Sequence, residues 1–175
     1  METLNQEELF HRLEALRQGT IATDEIYQTI HLFGRMNFQE ARPEVEGFLT
    51  NESPELRLIA LLVLTQHWHL AEHWQTARHF LEQDPDRECR MTGAAALEAL
   101  KRNTQDRRTL AVLARVVRNE RENHLVRQAA YAAMRGIIQY DPREQLRLAA
   151  HNIDLEREVD WKMVDAYLDS SNASG

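Results

Sequence analysis

The sequence predicts an all-α fold, a solenoid of about five antiparallel helix pairs that follow one another along the chain. Three observations favour it. The 175 residues include only 6 glycines and 4 prolines, which argues against a fold with many tight turns. Apolar residues recur with helical spacing in several segments. Three of these segments can be superimposed on one another, which is the sequence signature of a repeat architecture.

The repeated segment starts with an apolar residue followed directly by arginine, at Leu56-Arg57, Cys89-Arg90 and Val126-Arg127. The arginines are 33 and 37 residues apart, a spacing that suits one helix pair per repeat. Counted from the apolar residue, positions 0, 4, 7, 8 and 11 lie on one face of a helix, and this face is mostly apolar. The residue at position 4 is small in every repeat: Ala60, Gly93 and Ala130. Such a residue lets a neighbouring helix approach closely.

Turn-forming residues precede each repeated helix, in segments 51–54, 84–86 and 119–123. Asparagine and aspartate cap helices or begin turns, and proline suits the first helical turn. Together with the apolar spacing, these turns predict ten helices. Their bounds are about 5–18, 24–36, 38–50, 53–69, 72–83, 86–102, 106–118, 122–140, 142–152 and 155–169.

Over about residues 34–140 the pattern resembles HEAT repeats, in the bacterial form related to phycobilisome-lyase repeats. In that family an acidic turn residue and the arginine form a ladder along the stack. The turn position holds Asp84 in one repeat but Asn51 and Asn119 in the others, so the resemblance implies the ladder only at Asp84. It also implies a right-handed α–α superhelix within one domain, residues 1–169. The predicted parts are an end pair (1–36), core repeats (37–70, 71–103, 104–140), an end pair (141–169) and a disordered tail (170–175).

Composition and charge restrict the class of protein. The net charge is −7, yet residues 101–150 carry 11 basic and 5 acidic side chains. The single cysteine, Cys89, excludes an internal disulfide and cysteine-based zinc patterns, and we expect it to be a small buried apolar residue. The longest apolar run, residues 59–64, is too short to cross a bilayer. With no signal-peptide pattern at the N-terminus, we expect a cytoplasmic protein without membrane contact.

Residues 67–74 are the most chemically suggestive segment, with three histidines, a glutamate and two tryptophans. His69, Glu72 and His73 match the spacing of the inverted zinc-protease motif. That motif needs one continuous helix, whereas this segment straddles an expected turn. We therefore interpret the segment His67–His73 as a structural cluster at a helix end, and we predict no catalytic, cofactor-binding or metal-binding residues. Trp68, Trp74 and Trp161 are interpreted first as packing residues and second as binding anchors.

A candidate partner site lies on the third repeated helix, where Arg127, Tyr131 and Arg135 share a face outside the apolar stripe. Gln128 and the loop residue His124 lie nearby. In HEAT arrays the second helix of each pair lines the concave side, so the resemblance implies that these five residues face a partner. A solvated face is the alternative interpretation.

The arginine-rich stretch has three interpretations: arginines that are solvated or internally paired, an acidic protein partner, or nucleic acid. We disfavour nucleic acid because the flanking segments are acidic and would repel a duplex. We predict a non-catalytic protein–protein interaction module, an adaptor or scaffold, that presents a concave helical groove. The alternatives are a subunit of a bilin-handling enzyme similar to phycobilisome lyases, and a HEAT-like DNA-binding or glycosylase-type protein. The oligomeric state stays open.

Overall fold

The computed structural model describes residues 6–150 and 153–169, the side chains of residues 149, 150 and 169 excepted. Within those ranges the chain is all-α and contains no strand. The predicted first residue of the first helix, Asn5, and the predicted disordered tail, residues 170–175, lie outside the described residues. The chain divides into two compact units, residues 1–73 (unit 1) and 74–175 (unit 2).

The described part of unit 1, residues 6–73, contains four α-helices and several single turns. The helices are α1 (Gln6–Arg17), α2 (Thr23–Arg35), α3 (Arg42–Gly47) and α4 (Pro54–Leu62). Single 3-10 turns, Gln39–Ala41 and Phe48–Thr50, flank α3, so the helix predicted over 38–50 is regular only at its centre. Helix α4 begins where Ser53 Oγ accepts a hydrogen bond from the Leu56 amide, and it continues directly into a π-helical turn at Val63–His67.

The core of unit 1 is built from the apolar faces of these helices. Ile30 and Phe33 of α2 are fully buried with Ile59 of α4 and Leu64 of the π turn. Gly34 allows α2 to approach the π turn closely, because a Cβ at this position would lie 2.7 Å from Val63 Cγ2. A last 3-10 turn, Ala71–His73, ends the unit.

Over residues 74–150 and 153–169, unit 2 contains seven helices: α5 (Trp74–Gln83), α6 (Arg87–Lys101), α7 (Arg107–Arg118), α8 (His124–Ile138), α9 (Pro142–Ala150), α10 (Leu155–Glu158) and α11 (Trp161–Asp169). Helix α6 packs between α5 and α8, while α7 packs against α8 and α11. Six of these helices start at a side-chain cap: Asp86, Asp106, Asn123, Asp141, Asp154 and Asp160. The helix predicted over 155–169 is divided in two, because Val159 adopts an extended conformation.

The small residue of the repeat has the effect predicted for it. A Cβ on Gly93 would lie 2.5 Å from the Leu81 amide nitrogen and 2.8 Å from the Ala77 carbonyl oxygen, so the backbones of α5 and α6 touch at this point. Ala60 and Ala130, at the same repeat position, are fully buried. In the part of the chain that the structure describes, no helix has the length and apolar character needed to cross a membrane.

Candidate functional site

The three turns that precede the repeated helices each contain the same type of hydrogen bond. Asn51 Oδ1 accepts from the Ser53 amide at 2.9 Å, and Asp84 Oδ1 accepts from the Asp86 amide at 2.9 Å. In the third turn Asn119 Oδ1 accepts from the Arg121 amide at 3.2 Å. Each is an Asx turn, in which the side chain replaces a backbone acceptor. Asparagine and aspartate supply the same carbonyl-type oxygen, so they serve equally in this position.

The first two repeat arginines, Arg57 and Arg90, bind the carbonyls of these turns. Arg57 Nη1 donates to the carbonyls of Asn51 and Glu52, at 2.8 and 3.0 Å. Arg90 Nη1 donates in the same way to the carbonyls of Asp84 and Pro85, at 2.9 and 3.1 Å. Each of these two arginines therefore provides hydrogen-bond donors to two backbone oxygens of the turn before its own helix.

Arg90 also reaches the turn before the next repeated helix, α8. Its Nη2 donates to Glu122 Oε1 at 3.0 Å, and the two side chains are only 18% and 16% exposed. Glu122 directly precedes Asn123, the N-cap of α8. One ion pair thus joins the start of α6 to the turn before α8.

Arg127, at the start of α8, occupies the same repeat position as Arg90 but has different surroundings. Its Nε donates to the Val117 carbonyl at 2.9 Å, and no carboxylate of the described residues lies within ion-pair distance of it. The side chain lines a cleft of about 840 Å³. The lining residues come from α7, α8, α10, α11 and the turns before α8 and α10: Arg118, Glu120, His124, Arg127, Ile153, Asp154, Leu155, Glu156 and Trp161.

The aromatic wall of the cleft is held in place by Arg118. Arg118 forms two hydrogen bonds with the Asp165 carboxylate, at 2.7 and 2.5 Å, and its guanidinium lies 4.1 Å from the centre of the Trp161 ring. Ile153 and Leu155 provide buried apolar surface. The cleft therefore combines an aromatic ring, apolar side chains and one guanidinium without a carboxylate partner in the described chain.

Of the five predicted partner-site residues, His124 and Arg127 line this cleft. The expectation that Tyr131 and Gln128 lie at the surface is wrong: they are 4% and 6% exposed. The Tyr131 hydroxyl accepts from the Asp160 amide at 3.2 Å. Gln128 donates to the Leu148 carbonyl and accepts from the Ile153 amide.

Tyr131 and Gln128 are buried because the C-terminal part of unit 2 covers this face of α8. Arg135 lies on the same face, is half-buried and binds Glu144 of α9 at 3.1 Å. Tyr131 and Gln128 hold the segments before α11 and α10 by hydrogen bonds. A partner role stays a prediction for His124, Arg127 and Arg135.

The sequence interpretation missed Trp161, Arg118 and residues 153–156 as parts of a site. They meet Arg127 only because α11 packs against α7. The one signal for this cleft in the sequence is Trp161, whose second interpretation is a binding anchor.

Internal pairing accounts for part of the arginine-rich stretch. Its ion pairs within unit 2 are Arg102–Glu98, Arg115–Glu82, Arg118–Asp165, Arg135–Glu144 and Arg147–Glu158. For these five arginines the structure shows internal pairing, which is part of the first of the three interpretations of the stretch.

The histidine segment of unit 1 straddles a break, as predicted. His69 has a φ of 51°, and it separates the π turn from the 3-10 turn that contains His73. His73 Nε2 lies 3.1 Å from Glu46 Oε1. Among residues 6–150 and 153–169, no group of three or more histidine, cysteine or acidic side chains is placed to hold a metal ion. Burial, together with the charges of His31 and Arg35, lowers the pKa of His67.

Two tryptophans and the cysteine are packing residues, as predicted. Trp68 and Trp74 are buried at 5% and 7% exposure, and Cys89 is fully buried. Trp74 Nε1 donates to Thr109 Oγ1 at 2.7 Å, which joins α5 to α7.

No known protein family, curated protein or solved structure matches this chain. The molecule is an all-α protein, and one cleft of unit 2 brings together the guanidinium of Arg127, the ring of Trp161 and the apolar side chains of Ile153 and Leu155.

Proposed function

We propose that the chain is a non-catalytic protein-binding module of the HEAT-like helical-repeat kind, and that the cleft of unit 2 is its partner site. The observation that carries this proposal is the position of Arg127. Its Nε is engaged by the Val117 carbonyl, while the guanidinium lines a cleft of about 840 Å³ without a carboxylate partner among the described residues. A guanidinium has five N–H donors, so donors remain for a ligand.

The lining of the cleft supports a protein ligand. Trp161 and Arg127 are of the residue types that contribute most to the binding energy of protein interfaces. The apolar side chains of Ile153 and Leu155 are flanked by exposed polar residues such as Glu120 and His124, which gives an apolar centre with a polar rim.

The repeated turns support the helical-repeat part of the proposal. Arg57 and Arg90 make the same pair of hydrogen bonds to equivalent turn carbonyls, and the small residue of the repeat is buried each time. The proposal includes the right-handed superhelical arrangement of the helix pairs, which a crystal structure of the purified chain would test.

An affinity capture experiment tests the proposed partner site. The tagged full chain is incubated with lysate from its source cells, alongside the variants Arg127→Gln and Arg143→Gln. Arg143 is an exposed arginine of α9 that does not line the cleft, so it serves as the matched control. We expect one stoichiometric protein to be retained by the wild type and by Arg143→Gln, and to be lost with Arg127→Gln.

Calorimetric titration with the purified partner then gives the loss of affinity that Arg127→Gln causes. Loss of a charged hydrogen-bonding group should weaken the complex by about tenfold or more. A partner that binds Arg127→Gln with unchanged affinity would show that the cleft is not the site, and recovery of no partner by any of the three proteins would contradict the binding-module proposal itself.

A further inference from the structure

Arg90 and Arg127 are equivalent residues, and their equivalence indicates what the cleft binds. Both follow the first apolar residue of a repeated helix, and both lie in the first turn of that helix. Both donate to a carbonyl near the end of the preceding helix or in the turn after it: Arg90 to Asp84, Arg127 to Val117. The two guanidinium groups therefore leave their helices at corresponding places.

The difference lies in the turn before the second helix that follows each arginine along the chain. For Arg90 this is the turn before α8, where Glu122 directly precedes the N-cap Asn123 and supplies the carboxylate. For Arg127 it is the turn before α10, where the residue directly before the N-cap Asp154 is Ile153. Ile153 is 2% exposed, and its side chain has no acceptor. An apolar residue thus precedes the N-cap of α10, where the turn before α8 holds Glu122, and both Ile153 and Arg127 line the cleft.

From this we infer that the cleft binds a single carboxylate side chain, an aspartate or glutamate of the partner, which pairs with Arg127 as Glu122 pairs with Arg90. This inference rests on the proposed function, because it names the chemistry of the same site. The carboxylate accepts hydrogen bonds from the free Nη groups of Arg127. An aliphatic or aromatic neighbour of that residue packs on Ile153, Leu155 and Trp161.

The charges around the cleft favour one negative charge over two. Arg118 is neutralised by Asp165, and Asp154 by its contacts with the α10 amides and with Arg157. The carboxylates of Glu120 and Glu156 also line the cleft. They repel a phosphate dianion about twice as strongly as a carboxylate, because Coulomb energy is proportional to charge. A phosphorylated segment is therefore the less favoured ligand.

Peptide selection tests this inference with a defined probe. A phage library of random twelve-residue peptides is selected on the immobilised full chain, with counter-selection on Arg127→Gln. We expect the enriched peptides to share one aspartate or glutamate next to an aliphatic or aromatic residue. A selected peptide is then synthesised in three forms, with the acid, with its amide isostere and with phosphoserine at that position, and titrated against the wild type, Arg127→Gln and Arg143→Gln.

The expected result is that the amide isostere binds about tenfold more weakly than the acid, and that Arg127→Gln removes this preference while Arg143→Gln keeps it. The phosphoserine peptide should also bind more weakly than the acid. Equal binding of acid and amide, tighter binding of phosphoserine, or failure to enrich any Arg127-dependent peptide would overturn the inference. None of these results bears on the affinity capture, which decides separately whether the cleft binds a protein at all.

Circular dichroism and thermal unfolding of Arg127→Gln show that the variant is folded before it is used. If Arg127→Gln is unfolded, the variants Glu120→Arg and Glu156→Arg are used in a second test of the inference. Added positive charge at these exposed lining positions should tighten binding of the acidic peptide and leave its amide form unchanged. Equal effects on the two peptides would overturn the inference.

Discussion

At the start of helix α6, Arg90 is held by two turn carbonyls and by Glu122, whereas Arg127, at the same place in helix α8, is held by one carbonyl and lines a cleft. The first region is closed: α5 and α6 touch through their backbones, and Trp74 is bound to Thr109. The second region is open, since α10 and α11 leave space against the start of α8. The comparison teaches that Arg90 is a structural residue because the turn before α8 supplies a carboxylate, and that Arg127 is a candidate binding residue because the turn before α10 supplies none.

The largest expected effect comes from Gly93→Ala, which breaks the closed region. The new Cβ would lie within 2.8 Å of two backbone atoms of α5, and backbone atoms have little freedom to move. We expect a loss of about 3 kcal/mol in the free energy of unfolding, measured by urea denaturation. Gly47→Ala is the control, because nothing lies within 4 Å of its Cβ position and its φ is −59°. It should be neutral or stabilise by about 0.5 kcal/mol, and equal losses in the two variants would contradict the close approach of α5 and α6.

The two arginines can be compared directly by the same substitution. Arg90→Gln removes a largely buried ion pair and two carbonyl contacts, and it should cost about 2 kcal/mol of stability. Arg127→Gln removes one hydrogen bond to a carbonyl and should cost about 1 kcal/mol or less. Both free energies are measured by chemical denaturation at low salt. A larger loss for Arg127→Gln would reverse the assignment of structural and binding roles.

The turn before α8 offers a closer test of the ion pair. Glu122→Ala should cost about 1.5 kcal/mol, because it leaves the guanidinium of Arg90 largely buried without its carboxylate. Glu120→Ala, two residues away, changes an exposed side chain and should alter stability by less than about 0.5 kcal/mol. If Glu122→Ala behaves like Glu120→Ala in thermal unfolding, the pair contributes nothing to the closed region.

The smallest expected effect concerns Asp106, which caps α7. Burial raises the pKa of this carboxyl group, but hydrogen bonds from the Thr109 hydroxyl and amide outweigh burial, so the pKa is lower in the folded chain than usual. The unfolded state then binds the proton more readily, and the stabilisation is present above about pH 4 and lost as the pH falls through the folded pKa. Asp106→Asn keeps the cap but cannot titrate. The stability of the wild type should therefore exceed that of the variant at neutral pH, and the difference should vanish in acid; a difference independent of pH would contradict the assignment.

The sequence predicted the helices of this protein more successfully than their surroundings. The apolar stripe and the turn residues placed α6, α7 and α8 within a few residues of their bounds, because spacing and caps are local properties. The division between α10 and α11 was missed, since an extended Val159 carries no local signal. The face of α8 was misjudged for a similar reason: arginine, tyrosine and glutamine are amphipathic, and their neighbours decide whether they are exposed.

The cleft was only partly predictable. His124 and Arg127 were identified from the spacing of the third repeat, but the cleft also needs Trp161 and the segment before α10, which approach through tertiary packing. The substitution of Ile153 for an acid is visible in the sequence, yet it is meaningful only once Glu122 is seen to bind Arg90. Helical periodicity does not predict which residues more than 30 positions apart come into contact, such as Arg90 and Glu122.

The Asx turns before the repeated helices have a consequence for the chemical ageing of the protein. Asn51 and Asn119 each use the side-chain oxygen as an acceptor for the amide two residues further on. Deamidation that yields ordinary aspartate would keep that oxygen, as Asp84 in the equivalent turn demonstrates. The variants Asn51→Asp and Asn119→Asp, which reproduce this product, should therefore keep the turn and the unfolding temperature of the wild type.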